Sequence, residues 1–258
     1  MSVEKGFTKE NLDYYLKELA KEFRKRNGKN TPAEIVLVGG AAILANYGFR
    51  EMTYDIDAVI TASSAMKEAV NTVGDRLGLP NGWLNADFKN TSSYSPKLSQ
   101  YSKYYRTYSN VLNIRTISAE YLVAMKLMSG RRYKKDLSDI IGVLSEQKRM
   151  GEPLSYQQID CAVRNLYGGW DDISEYAIQV LKAALNSENL KKLFMEQERE
   201  EELSKQVVLQ VQKYEGEKVK ESNVDEIIQK ALRKKRDDRD NGLWGRESAI
   251  MCIRDIQG

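Results

Sequence analysis

Two carboxylates one residue apart, in Tyr54-Asp-Ile-Asp-Ala-Val-Ile60, follow a double glycine in Val36-Leu-Val-Gly-Gly-Ala-Ala-Ile-Leu44. No other feature constrains the fold as much. The first segment reads as a buried strand over 34–38, a turn at Gly39-Gly40 and a helix over 41–47, and the second as a strand over 54–60. Successive strand side chains alternate faces, so Asp55 and Asp57 share one face while Ile56 points into the core. Like charges held this close repel unless a cation lies between them, and hard divalent ions prefer carboxylate oxygen. Glycine exposes its amide without a side chain in the way, and amides at a helix start favour an anion. Together the two elements point to chemistry on a nucleotide. Each also has a plainer reading. The glycines suit an ordinary strand-to-helix turn, and the acids suit a salt bridge to Arg50 or exposure at a sheet edge.

The chain has 258 residues and no histidine. That excludes Ser-His and Cys-His triads, histidine general bases and histidine-ligated zinc. Any catalysis rests on carboxylates, Lys, Tyr, hydroxyls and a bound ion. The cysteines Cys161 and Cys252 lie too far apart for a metal spacing and do not suggest a disulfide framework. No run of 18 apolar residues occurs and residues 1–6 have no signal-peptide core, so the expectation is a cytoplasmic chain without a membrane partner. The net charge of +3 says little about partners. Locally, residues 88–135 carry ten Lys/Arg against one acid, Glu120, and seven of the fifteen tyrosines. Such a stretch suits polyphosphate or nucleic acid, or a solvated face balanced by acids elsewhere.

Periodicity outlines the remainder. Residues 8–26 form an amphipathic helix ending near Gly28, and Ser63 or Ser64 caps another that stops at Gly78. Residues 81–100 read as polar and irregular. A hairpin spans 104–117 with its turn at Ser109-Asn110. Helices follow over 121–129, 135–148, 159–166, 173–185, 190–214 and 223–236; the helix over 190–214 is charged almost all round and is expected to project. The tail 237–258 has no assignment. The fold class is therefore mixed α/β (α+β), a small mixed-sheet core over 1–117 followed by a helical half over 118–258.

Val38-Gly-Gly-Ala41, Arg50, Thr53 and Asp55-Ile-Asp57, joined by Lys126, Arg131 and Lys135-Asp136-Leu-Ser-Asp139, resemble the nucleotidyltransferase superfamily of the DNA polymerase β type, closest to its bacterial AbiEii-type and toxin-like branch. The similarity spans about residues 35–144. It implies that Gly39 and Gly40 hold triphosphate oxygens and that Asp55 and Asp57 ligate magnesium, with manganese as a substitute. Thr53 would bond the nucleotide or brace its loop. Arg50 and Lys126 would lie near phosphate, and the basic cluster containing Arg131 would meet a phosphate backbone or substrate tail. Asp136 would orient a cation or receive the acceptor's proton. A third metal-binding carboxylate is usual in this superfamily, and Asp87 is the candidate, with an ordinary loop aspartate as the alternative. Lys126 also suits a solvent-facing lysine, and Asp136 and Asp139 suit first-turn acids favoured by a helix dipole.

The implied activity is magnesium-dependent transfer of a nucleoside monophosphate from a nucleoside triphosphate to an acceptor, with pyrophosphate leaving. RNA, especially a tRNA end, a protein hydroxyl or a small molecule would serve as acceptor, in a toxin-like or phage-defence role with an antitoxin protein as partner. A second reading is a silent module that binds nucleotide or a partner without transfer. A third makes the charged helix over 190–214 an antitoxin- or effector-binding surface.

Overall fold

The computed structural model describes residues 6–215, together with 224, 227 and 228. Thr8 opens α1 (Lys9–Asn27) in a capping box with Asn11, and Gly28 closes it. Its apolar stripe, Leu12, Leu16, Leu19 and Phe23, is fully buried. Five strands form one mixed sheet in the order β3-β2-β1-β5-β4. The central strand β1 (Ala33–Leu37) runs antiparallel to β2 (Ile56–Thr61) and parallel to β5 (Leu112–Ile117). β4 (Ser102–Tyr108) pairs antiparallel with β5 through the expected turn, where Ser109 and Asn110 take φ of 52° and 55°. Both central residues of a two-residue hairpin turn need such angles, which Asn tolerates well.

The sequence reading changes at three places in this half. First, α2 (Gly39–Asn46) begins at the glycines and not at Ala41. Second, β2 begins at Ile56 and not at Tyr54; just before it, Thr53 forms an antiparallel bridge to Phe7 with amide-to-carbonyl bonds of 2.7 and 2.9 Å. Third, the irregular stretch contains β3 (Leu84–Asn85), which pairs parallel with Ile56 and Asp57. A two-residue strand carries no periodicity to read. Its anchor is Trp83, buried against α3 (Ala65–Leu77) and donating its indole N–H to the Val70 carbonyl at 3.0 Å.

Among residues 118–215 the helices are α4 (Ala119–Ser129), α5 (Asp136–Arg149), α6 (Tyr156–Tyr167), α7 (Glu175–Leu185) and α8 (Leu190–Glu215). One apolar cluster runs from Phe7 through the sheet to Leu190, so the helices after Ile117 share a core with the strands. α4 is buried nearly all round and touches α2, α5 and α6. The expected helix over 223–236 and the tail lie outside the described residues, apart from 224, 227 and 228.

α8 does not project. It packs along α5, and its Glu201 is 3% exposed. One Glu201 oxygen accepts from the amides of Leu137 (2.8 Å) and Ser138 (3.1 Å), which caps α5 from a distant helix. The charged pattern hid this contact because the helix buries polar groups as well as apolar ones: Gln197, Glu201 and Ser204 lie on the same side as Val208. Burial pushes the Glu201 carboxyl up to about 8, against the pull of the Ser138 and Leu137 hydrogen bonds.

α5 also carries a close approach that fixes the loop after α2. A Cβ added at Gly142 would lie 2.5 Å from the Phe49 ring, which packs edge-on against Phe194 of α8 at 5.7 Å. Gly142→Ala should therefore displace Phe49 and cost about 1–3 kcal/mol, read as a lowered urea midpoint at unchanged slope.

Candidate active site

The residues singled out by pattern converge on one cleft of about 310 Å³ between the sheet and the α4–α5 pair. Its floor is the β1–α2 turn. Val38 ends β1 with its amide bonded to the Asp57 carbonyl at 3.0 Å, which sets the turn beside the acid. Gly39 takes a φ of +54°, a left-handed conformation that L side chains resist. A Cβ on Gly40 would lie 2.6 Å from Thr53 Oγ1 and 3.2 Å from the Arg50 guanidinium carbon. Only glycine lets these two side chains close over the turn. The N-cap, Val38, supplies no side-chain acceptor and no acid stands in the first turn of α2, so its leading amides remain available to an anion.

Asp55, Asp57 and Asp87 line the same cleft. Ile56 between the first two is fully buried, as the alternation requires. Asp55 and Asp87 are exposed, whereas Asp57 is half-buried, and its carboxylate lies 3.7 Å from where a Gly39 Cβ would stand. Arg50 does not neutralise the pair, because its guanidinium is committed to Asp139 at 2.6 Å. Among the described residues no salt bridge closes on Asp55, Asp57 or Asp87. Thr53 Oγ1 reaches Asp55 at the limit of hydrogen bonding, 3.5 Å, so Thr53 braces the loop more than it binds the acid. Burial raises the Asp57 carboxyl to about 6, with Asp55 and Asp87 adding repulsion and Lys126 and Arg131 opposing it.

Behind this acidic rim lies a chain of alternating charge, buried at its centre and partly exposed at its two arginine ends. Arg50 Nη1 meets Asp139 at 2.6 Å, Asp139 meets Lys126 Nζ at 2.8 Å, and Lys126 Nζ meets Asp136 at 2.8 Å. Arg131 Nε then meets Asp136 at 2.7 Å. Lys126 is therefore no solvent-facing lysine; it is 9% exposed. Burial by itself would lower its pKa, but the two carboxylates beside it raise it above the ordinary lysine value. For Asp136 burial pulls upward, and Lys126 with Arg131 outweighs it, holding the carboxyl well below the usual range. Such a group is a poor proton acceptor and a good anchor. Of the two roles the resemblance implied for Asp136, the geometry fits the orienting one.

Asp139 is the residue that sequence reasoning missed. It stands in the motif that carries the resemblance but was given no role beyond that of a first-turn acid, yet it joins Arg50 to Lys126 and is 2% exposed. The usable signal was the three-residue spacing of Asp136 and Asp139, which stacks them on one side of α5 amid the apolar residues of the core.

The donor set suits a hard divalent ion. Two carboxylates without a salt-bridge partner among the described residues stand beside open amides, and burial, helped by Asp55, pushes one of them, Asp57, toward protonation. Among the described residues no three Asp, Glu, His or Cys side chains converge into a cage. Magnesium does not need one, since it is commonly held by one or two carboxylates with water and substrate phosphates. Asp87 lies close enough to repel Asp57, but it does not complete a three-ligand cluster with Asp55.

A five-stranded mixed sheet bearing a glycine turn, an Asp-x-Asp strand and a lysine–aspartate pair from the following helices defines a nucleotidyltransferase-like domain. The chain belongs to a family of nucleotidyltransferases of unknown function (DUF6036), whose model matches residues 14–147, just over half of the sequence. No significant match to a curated protein or to a solved structure was found. No helix among the described residues is long and apolar enough to cross a membrane.

Two outcomes follow from the charges. Lys126→Met should destabilise the fold by about 3–5 kcal/mol, because Asp136 and Asp139 then lose their shared partner while buried. Asp57 bears the opposite sign. A carboxyl raised from 3.8 to about 6 contributes stability below pH 3.8 that is lost as the pH rises through 6. Without added divalent ion, Asp57→Asn should therefore stabilise the protein by about 1 kcal/mol at pH 8 and not at pH 4, a figure kept small by solvent screening. Thermal melts at the two pH values check this.

Proposed function

We propose that this chain transfers a nucleoside monophosphate from a nucleoside triphosphate to an acceptor, with a magnesium ion at Asp55 and Asp57. One observation carries the reading: two carboxylates without a salt-bridge partner among the described residues line one cleft with the uncapped start of α2 and with the cations Arg50, Lys126 and Arg131. Arg50, Lys126 and Arg131 alternate with Asp139 and Asp136 along the wall opposite the acidic rim. A polyphosphate fits between them.

In this reading the amides of Gly39 and Gly40 hold the terminal phosphates, as at other helix starts that bind phosphate. Arg131 and Lys126, fixed by Asp136, face the charge that spreads over the phosphoryl group during transfer. The bound magnesium would lower the charge opposing attack and favour pyrophosphate as leaving group. Asp136, held well below the usual carboxylate range by Lys126 and Arg131 despite its burial, is poorly matched to take a proton from the acceptor and serves to orient those cations.

The preferred acceptor is RNA, a tRNA end in particular, and the role toxin-like with an antitoxin partner. This finer reading is supported by the likeness of the motifs to AbiEii-type enzymes and by the lysines at the cleft mouth, Lys134 and Lys135. The tyrosines lend it less support. Tyr105 and Tyr108 donate to Asp13, and Tyr101 stacks on Tyr121 at 3.8 Å, which leaves Tyr104 as the exposed ring of the hairpin.

The test is incubation of the full chain with each α-labelled nucleoside triphosphate, magnesium and total RNA. Label should move onto RNA, and Asp57→Asn should reduce the rate by about two to three orders of magnitude. Tight nucleotide binding without transfer to RNA, protein or small-molecule acceptors would favour the silent binding module instead.

A further inference from the structure

Within the α4–α5 connection, Arg131-Arg-Tyr-Lys-Lys135 carries four cations in five residues, and α8 answers it with five acids in seven, over residues 196–202. The connection lies across α8. At about 100° per residue, Glu198 and Glu200 fall on opposite sides of Glu201. Glu201 takes the Leu137 and Ser138 amides, Glu200 meets Arg132 Nη2 at 2.7 Å, and Glu198 meets Lys135 Nζ at 3.2 Å. We infer that α8 is a competitor built into the chain: Glu198 holds Lys135 in place of an RNA phosphate, and an acceptor strand must displace that carboxylate to enter the cleft. The inference rests on the reading of RNA as acceptor and names what regulates its approach.

The three carboxylates differ in how firmly they are held. Glu201 is buried, 3% exposed. The Arg132 side chain is 11% exposed, and its guanidinium carbon lies 3.8 Å above the Tyr176 ring, so its pair with Glu200 is shielded. The Lys135 and Glu198 side chains are 57% and 37% exposed, and theirs is the longest of these contacts. An ion pair this open favours its closed state by a factor of about five at most. A phosphate can therefore replace the carboxylate at the same ammonium, with α8 kept seated by Glu200 and Glu201. Lysine suits the exchange, because its ammonium is a point charge on a flexible stem and demands no fixed geometry of its anion.

Lys135 also stands where an acceptor would pass. It lines the cleft with Lys134 and Arg131, in the same cavity as Asp55, Asp57 and the Gly39-Gly40 turn. As the N-cap residue of α5 it precedes amides already taken by Glu201, so side-chain charge is what it offers an incoming anion. Single strands are held in such grooves by cations that track the backbone, and each phosphate neutralised adds affinity. A carboxylate on one of these cations subtracts from that affinity without filling the cleft.

Fluorescence anisotropy of the full chain with a labelled single-stranded RNA of mixed sequence, without nucleotide, tests this. The salt is set at about 0.1 M, where charges more than about 10 Å away are screened. Glu198→Gln should tighten binding about three- to fivefold. Glu196→Gln, which removes the same charge from an exposed position on the same helix, should change it by less than about 1.5-fold. Lys135→Gln should weaken binding and flatten its log–log salt slope by about 0.7, and in that background Glu198→Gln should give no gain. Circular dichroism melts should show every variant folded. Binding that Glu198→Gln leaves unchanged, a gain matched by Glu196→Gln, or a gain that survives Lys135→Gln would overturn the competitor and leave the acceptor reading standing. Absence of RNA binding by all of these proteins would remove the competitor and RNA as acceptor together, and would leave transfer at Asp55 and Asp57 to protein or small-molecule acceptors.

Discussion

The ion chain from Arg50 through Asp139, Lys126 and Asp136 to Arg131 holds the site together. It ties the loop after α2, the end of α4, the α4–α5 connection and the first turn of α5 to one another through contacts of 2.6–2.8 Å. Removing charges of this kind from water is expensive, and their mutual attraction offsets the cost only when each has good partners. Here Lys126 has two carboxylates, Asp136 has two cations, and Asp139 likewise has two. The apolar core alone would let these elements approach in several ways. The charges select one.

That selection also explains why the acidic rim stays open. Arg50 is the nearest sequence neighbour able to neutralise Asp55 and Asp57, and Asp139 diverts it. Gly40 permits the diversion, because any side chain there would meet Arg50 and Thr53 together. Burial first, and then Asp55 and Asp87 beside it, raise the Asp57 carboxyl, the kind of perturbation that clusters at functional sites.

Much of this was legible in sequence. Alternation placed Ile56 inward and both aspartates in the cleft, helical periodicity found α1 and α3 to α7 within a few residues, and Ser109-Asn110 specified the hairpin. All ten residues carried over from the resemblance line one cavity. What stayed hidden has a common physical character. β3 is too short to show a period, and the bridge that pins Thr53 is to Phe7, forty-six positions earlier. Asp139 and Glu201 are polar residues buried by distant partners, and composition reads such residues as solvated. The same blindness applied to α8, whose charges include the ones it hides.

Glu201 has a further consequence. The stretch shared with the family ends at residue 147, but the amides that open α5 find their acceptor on α8, more than fifty residues later. Arg132 and Lys135, flanking the same turn, likewise reach Glu200 and Glu198 of α8. A fragment cut to the shared stretch would thus retain every cleft residue named here and still lack the clamp that sets the pitch of the helix carrying Asp136 and Asp139. In this protein the machinery lies within the stretch shared with the family and its tensioner lies beyond it.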